Sequence, residues 1–389
     1  DDIIWVGCND RRLAMFENIF PLQNGVSYNS YLVMDEKITL FDTMDSNATE
    51  QFIENIEYVL NGKAVDYLVI QHMEPDHCAN IARLLRKFPE MKLVVNAKTV
   101  KMIEQFFHEV EADKLVVVKE GDTLNTGKHT FTFVMAPMVH WPEVMVTYDS
   151  YEKVLFSADA FGTFGALDGN IFDDEIDFDK DWLHEARRYY ANICGKYGTP
   201  VQALLKKAKG LDIKLICPLH GPILKENLGY YIGLYDTWSK YEVETEGVFI
   251  AYASIHGGTK KAAEKMAEIL REKGAPKVSL ADLSRDDMAE AVEDAFRMSK
   301  LIVAAASYDA DVFPPMHDFL HHLKIKAYQK RRVGIIENGS WAPCAGRVMK
   351  GMLESMKEIE IVEPMVTIRS AMKQGDIPAL EALADAILA

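Results

Sequence analysis

The chain has 389 residues, 49% hydrophobic and 26% charged, with a formal net charge of −16 at pH 7. That length allows two or three domains with full cores, and the acidic excess argues against a phosphate-backbone partner such as nucleic acid. No run of about 18 apolar residues occurs, so no membrane-spanning helix is expected, and the first residues lack the basic start and apolar core of a secretory signal.

The cysteines, Cys8, Cys78, Cys194, Cys217 and Cys344, lie far apart without a C-x-x-C pair. Neither a disulfide framework nor a thiolate metal module is expected, and a reducing cytoplasm fits best.

In chain order, residues 28–34 and 37–42 read as strands about a tight turn at Asp35-Glu36. Residues 47–60 read as a helix, with Phe52, Ile53, Ile56 and Val59 at helical spacing. The apolar run 67–70 then delivers Gln71-His72-Met73-Glu74-Pro75-Asp76-His77, dense in imidazole and carboxylate. Residues 78–87 form the next helix, with Cys78 a small buried residue. Further strands are expected at 93–95, 115–118 and 130–135, the last running into a Pro-bounded loop that holds His140. Strands 144–148 and 153–156 lead to Asp159, and strand 214–217 leads to His220.

Singly, a histidine after a strand is more often a core residue, and an aspartate more often a turn former. Jointly, four loops each follow an apolar strand and end in His, Asp or Glu, as at one rim of a sandwich of sheets. The candidates His72, Glu74, Asp76, His77, His140, Asp159 and His220 are too many for one tetrahedral zinc. They suit two metals with a bridging carboxylate, and three carboxylates favour iron or manganese.

This part of the chain resembles the metallo-β-lactamase-like domain of flavodiiron proteins. Hydrolases of that fold usually carry H-x-H-x-D-H, whereas the pattern here is His72-x-Glu74-x-Asp76-His77, with the Glu that marks the diiron branch. The resemblance implies one iron held by His72, Glu74, His140 and Asp159. The other would be held by Asp76, His77, Asp159 and His220, with Asp159 bridging. His77 matches a residue displaced from iron in some relatives. Trp141 and Tyr189-Tyr190 resemble aromatic positions lining that site, core packing being the alternative.

A polar stretch near residues 235–244 suggests a boundary, giving domains 1–245 and 246–389. Beyond it strands and helices alternate, which implies a parallel sheet with helices on both faces. Strands are expected at 248–252, 278–280, 301–306, 333–336 and 359–362, with helices at 260–271 and 379–388. The loop Ser254-Ile255-His256-Gly257-Gly258-Thr259 opens the first helix with hydroxyls and glycines, an anion nest suited to a monophosphate. Two more loops at the carboxyl edge, Ser307-Tyr308-Asp309-Ala310-Asp311 and Ser340-Trp341-Ala342-Pro343-Cys344-Ala345, each carry an aromatic able to cover a flat ring. This region resembles flavodoxin, which implies FMN with its phosphate on Ser254, His256, Gly257, Gly258 and Thr259 and its ring between the other two loops.

The expected fold is α/β and multidomain: an αββα metallo-β-lactamase-like sandwich followed by a flavodoxin-like, doubly wound five-stranded parallel sheet. The resemblance implies an oxidoreductase that reduces dioxygen to water, nitric oxide to nitrous oxide, or both. FMN would take electrons from an external donor such as a rubredoxin or a reduced deazaflavin, in a head-to-tail homodimer or a dimer of dimers. The alternative is a dinuclear zinc hydrolase with a regulatory flavodoxin-like domain, against which Glu74 argues.

Overall fold

The computed structural model describes residues 2–107 and 110–389. Its contacts divide the chain into two compact units. One comprises Asp1–Tyr190 and Thr199–Asp236, the other Ala191–Gly198 and Thr237–Ala389. The later division, between Asp236 and Thr237, falls within the polar stretch, inside the helix Leu228–Ser239.

The first unit stacks two sheets. One has six strands in the order Ile3–Trp5, Tyr31–Val33, Thr39–Phe41, Tyr67–Val69, Lys92–Asn96 and Leu115–Val118. The other has five: Thr123–Asn125, Thr130–Met135, Met145–Asp149, Val154–Phe156 and Leu215–Cys217. Their inner faces share one apolar cluster, in which Phe41 stacks on Phe156 with centroids 4.0 Å apart. The strand expected at 28–34 is broken. Val26–Tyr28 pairs with Cys8–Asp10, while Tyr31–Val33 joins the large sheet. The break follows from Asn29 and Ser30, whose side chains donate to Pro218 O, Gly221 O, Phe41 O and Asp42 O. The helix expected at 78–87 is also divided, into Pro75–Cys78 and Ile81–Lys87, because the Asn80 amide turns to Met44 O.

The second unit has a sheet with the order Val278–Asp282, Thr245–Ala253, Met298–Tyr308, Arg331–Asn338 and Ile359–Ile361, all parallel. Separate apolar clusters cover its two faces, so the inner strands are almost wholly buried, as parallel strands require. Helices Gly258–Glu272 and Ile377–Leu388 pack on one face, and Met288–Arg297, Pro314–Ile325 and Ala345–Glu354 on the other. The fifth strand differs from expectation. Pro364 interrupts it, and its continuation Val366–Ile368 pairs separately with Arg331–Asn338. Asp311–Val312 adds a short hairpin strand to Met298–Tyr308.

Candidate metal centre and flavin cavity

Pro75 shapes the first ligand loop. A residue preceding proline is pushed out of the helical region, and Glu74 sits at φ −63°, ψ 140°. On this extended stretch His72 and Glu74 face the same way, with His72 Nε2 3.3 Å from Glu74 Oε2. Proline at the first helical position then starts the turn Pro75–Cys78, where His77 Nε2 lies 3.3 Å from Asp76 Oδ2.

The later loops close on this one. His140 Nε2 stands 3.1 Å from both Glu74 Oε2 and Asp159 Oδ2, and His220 Nε2 is 3.3 Å from Asp76 Oδ2. Asp159 lies between two groups. Its Oδ2 is 3.2 Å from His72 Nε2, while its Oδ1 is 3.3 Å from His77 Nε2 and 3.7 Å from His220 Nε2. All seven candidates are thus assembled, as His72, Glu74, His140 and Asp159 in one group and Asp76, His77 and His220 in the other.

The spacing and the bonding pattern both suit metal ions. Two donors each about 2.1 Å from one ion stand roughly 3.0–3.4 Å apart, close to these separations. Both Asp76 oxygens, Asp159 Oδ1, both His77 ring nitrogens and His220 Nε2 are buried without hydrogen-bond partners. Orphaned buried polar atoms are rare, and two cations would satisfy all of these except His77 Nδ1, which lies on the ring edge away from the cluster. Burial opposes charge on His72 and His140, but carboxylates outweigh it. Asp159, Glu143 and Glu74 hold the His72 imidazolium well above its usual range, and Asp159 and Glu74 push His140 up to about 9.

Several residues beside the candidate ligands were not among those read from the sequence. Asp42, fully buried at φ 54°, accepts the N–H groups of Gln71 and His72 and the Gln71 amide. Glu143 accepts from His72 Nδ1 at 2.8 Å and from Met73 N–H at 2.8 Å. His220 Nδ1 meets Ser27 O at 2.7 Å. Glu17, at the turn between Met15–Phe16 and Phe20–Pro21, brings its carboxyl to Glu74, whose like charge holds it above the usual carboxylate range. A carboxylate three residues after His140 was the one available clue to Glu143. Trp141 meets the His72 ring edge-on at 5.2 Å, and Tyr189 lies 5.7 Å from His220. Tyr190 packs on Tyr235 instead. Cys78 is buried, its thiol donating to Met73 O, and burial pushes it up to about 12.

The second unit contains a cavity of about 710 Å³ at the carboxyl edge of its sheet, a size common for small-molecule sites. Ser254, His256, Gly258, Thr259, Ser307, Tyr308, Asp309, Ala310, Ser340, Trp341, Ala342 and Cys344 line it. Gly257, Asp311, Pro343 and Ala345 shape the loops without lining it. Gly257, at φ 86°, donates its N–H to Ser254 Oγ, and the N–H groups of Cys344 and Ala345 donate to Ser307 Oγ. Asp311 closes the hairpin, whose two turn residues, Asp309 and Ala310, both have positive φ. Pro343 packs against Gly339. Two lining residues, Arg347 and Ser370, lie outside the loops read from the sequence. A Cβ on Gly258 would lie 2.3 Å from Ser370 O, so glycine is required where backbone and helix N-terminus meet. Trp341 is 90% exposed, an aromatic face without cover. Volume, nest and aromatic walls fit a flavin mononucleotide.

Fold and site together define a metallo-β-lactamase-like unit with two candidate metal-ligand groups, followed in the chain by a flavodoxin-like unit. A family model described as ODP family beta lactamase matches residues 26–221. The anaerobic nitric oxide reductase flavorubredoxin of Aliivibrio fischeri is 30% identical over 88% of this chain and 69% of its own length. Among solved structures, rubredoxin oxygen:oxidoreductase from Desulfovibrio gigas matches with TM-score 0.94 and 28% identity, covering 100% of this chain and 96% of that one. A flavo di-iron protein variant from Thermotoga maritima gives 0.90 at 25% identity, covering 99% and 96%. The chain belongs to the flavodiiron protein family and is an oxidoreductase. Among the described residues no helix is long and apolar enough to cross a membrane.

Proposed function

We propose that this protein reduces dioxygen to water, nitric oxide to nitrous oxide, or both, at two iron ions, with electrons relayed through FMN from an external donor. The observation that carries the reading is the bridging position of Asp159, one oxygen toward each ligand group, with Glu74 in the first group. His72, Glu74, His140 and Asp159 would hold one iron, and Asp76, His77, Asp159 and His220 the other. When bound, the two irons supply the one-electron steps at which a small substrate is reduced. Asp42 fixes the backbone of His72, while Glu143 and Ser27 fix the rings of His72 and His220, so each Nε2 is turned to the cluster. Ser254, His256, Gly257, Gly258 and Thr259 would hold the FMN phosphate at the N-terminus of Gly258–Glu272. Residues 307–311 and 340–345 would frame its ring.

The relatives support both substrates, one being by name a nitric oxide reductase and another a rubredoxin oxygen:oxidoreductase. A rubredoxin or a reduced deazaflavin would serve as donor, in the reducing cytoplasm that the free cysteines suit. A head-to-tail homodimer, alone or as a dimer of dimers, fits two exposed apolar rims. Met15 and Ile19 lie on the hairpin beside the metal cluster, and Tyr308 and Trp341 on the flavin cavity. Metal analysis and an absorption spectrum test the core of this reading, and zinc without flavin overturns it. Parallel anaerobic turnover of the two substrates by one reduced sample decides the preference. A monomeric mass for the active enzyme refutes the dimer.

A further inference from the structure

The two ligand groups are matched in composition. Each has two histidines, one carboxylate of its own and one oxygen of Asp159. Nothing in that donor set distinguishes one metal position from the other. The groups behind the rings do. His72 Nδ1 lies 2.8 Å from Glu143 Oε1, and both side chains are 0% exposed. The same carboxylate accepts the Met73 N–H at 2.8 Å, its other oxygen has no partner, and Asn96 Nδ2 ties down Glu143 O at 2.6 Å. In the second group, His220 Nδ1 meets the neutral carbonyl of Ser27 at 2.7 Å, and His77 Nδ1 is buried with no hydrogen-bond partner.

Other nearby acids do not repeat this contact. Asp42 is engaged by the backbone of Gln71 and His72 and by the Gln71 amide, and bonds to neither ring. Glu17 faces Glu74 rather than a ring. Among the described residues, Glu143 is therefore the one carboxylate hydrogen-bonded to the outer nitrogen of a candidate ligand ring, in a dry interior where charge acts at its strongest.

We infer that Glu143 makes the two positions electronically unequal. In the half-reduced protein it places the ferric ion at His72, Glu74, His140 and Asp159 Oδ2, and the ferrous ion at Asp76, His77, His220 and Asp159 Oδ1. A carboxylate behind an imidazole fixes its tautomer and raises its basicity as a ligand, and a more basic ligand favours the higher charge. Glu143 is thus a positioning residue that acts through His72. The inference rests on the diiron reading above.

The test is a redox titration of the iron-loaded protein, followed by electron paramagnetic resonance of the mixed-valence state, for the wild type, Glu143→Gln and Glu143→Asp. Iron content and the flavin spectrum are recorded on each sample. In Glu143→Gln the first position should lose about tenfold in its ferric-to-ferrous ratio at fixed potential, about 59 mV for one electron. The other midpoint should stay in place. Glu143→Asp keeps the charge with a shorter reach and should fall between the two; it also decides the matter if the Gln variant does not fold. Equal shifts of both midpoints, or none in iron-replete variants, overturn the inference alone. Wild-type protein that takes up no iron overturns the diiron reading, and this inference with it.

Discussion

Replacing Asp159 by Asn preserves the side chain's size and removes the one charge that both ligand groups share. Asp159 Oδ2 stands 3.1 Å from His140 Nε2 and Oδ1 3.3 Å from His77 Nε2, so the loss reaches both positions. Outer partners of metal ligands are already worth 10–100-fold in affinity, about 1.4–2.8 kcal/mol at 1.4 kcal/mol per decade. A donor common to both positions should cost each at least that much. His220→Asn is the contrast, because His220 belongs to one group only. Both variants would be prepared under the same iron supply, with iron counted per chain and flavin absorbance confirming that the second unit has folded. His220→Asn should keep on the order of one iron, and Asp159→Asn should fall well below one, as ligand loss at one or both sites dictates. Asp159→Asn protein that retains both irons, or loses no more than His220→Asn, refutes the bridging role.

Gly258→Val places a side chain against Ser370 O, which a Cβ would approach to 2.3 Å. FMN affinity should fall at least tenfold, about 1.4 kcal/mol, with iron content unchanged, as equilibrium dialysis of both cofactors would show. Gly221→Ala meets Thr163 Oγ1 at 2.1 Å in a backbone of φ 81°, so it should cost about 1–3 kcal/mol in chemical unfolding and reduce iron retention beside His220. His129 pairs with Asp149 at 2.8 Å, with Asp2 3.8 Å away. Burial opposes its charge, but Asp149, Asp35 and Asp2 raise its pKa above the usual histidine range. That raised value adds stability which is fully present below the unfolded-state pKa of about 6.5. The contribution disappears as pH rises through the folded value. His129→Gln should therefore lower the melting temperature most below about pH 6.5, and the gap to wild type should narrow in alkaline buffer; a gap independent of pH refutes the pairing.

The strands of both units were legible because their burial is simple. Parallel strands covered on two faces read as unbroken apolar runs, and the third strand of the second unit, Met298–Tyr308, is buried along nearly its whole length. The misplaced elements share one cause, which is a local signal overridden by a distant partner. Residues 28–34 are mostly strand formers, but Asn29 is claimed by carbonyls at Pro218 and Gly221, about 190 residues away in sequence. Residues 78–87 have helical spacing, but Asn80 answers to Met44 O. No window of neighbouring residues contains those partners.

The candidate centre divides along the same line. Its candidate ligands are conspicuous because metal donors come from a few residue types, here His, Asp and Glu, and project from the ends of elements that converge. Pro75 even announces the local geometry, by forcing Glu74 extended and starting a helical turn immediately after it. The groups that hold those ligands meet no such restriction. A supporting acceptor can be any carbonyl, as at Ser27, or an ordinary acid, as at Asp42 and Glu143. What distinguishes Glu143 from the acids of any surface loop is burial to 1% and the direction of one oxygen toward His72 Nδ1. Both are properties of the assembled fold. The flavin cavity repeats the pattern. Its glycines and hydroxyls are visible in one loop, whereas Ser370 enters from beyond the strand that Pro364 interrupts. Residue type is thus visible wherever chemistry restricts the choice, and is lost wherever geometry alone turns a common residue into a necessary one.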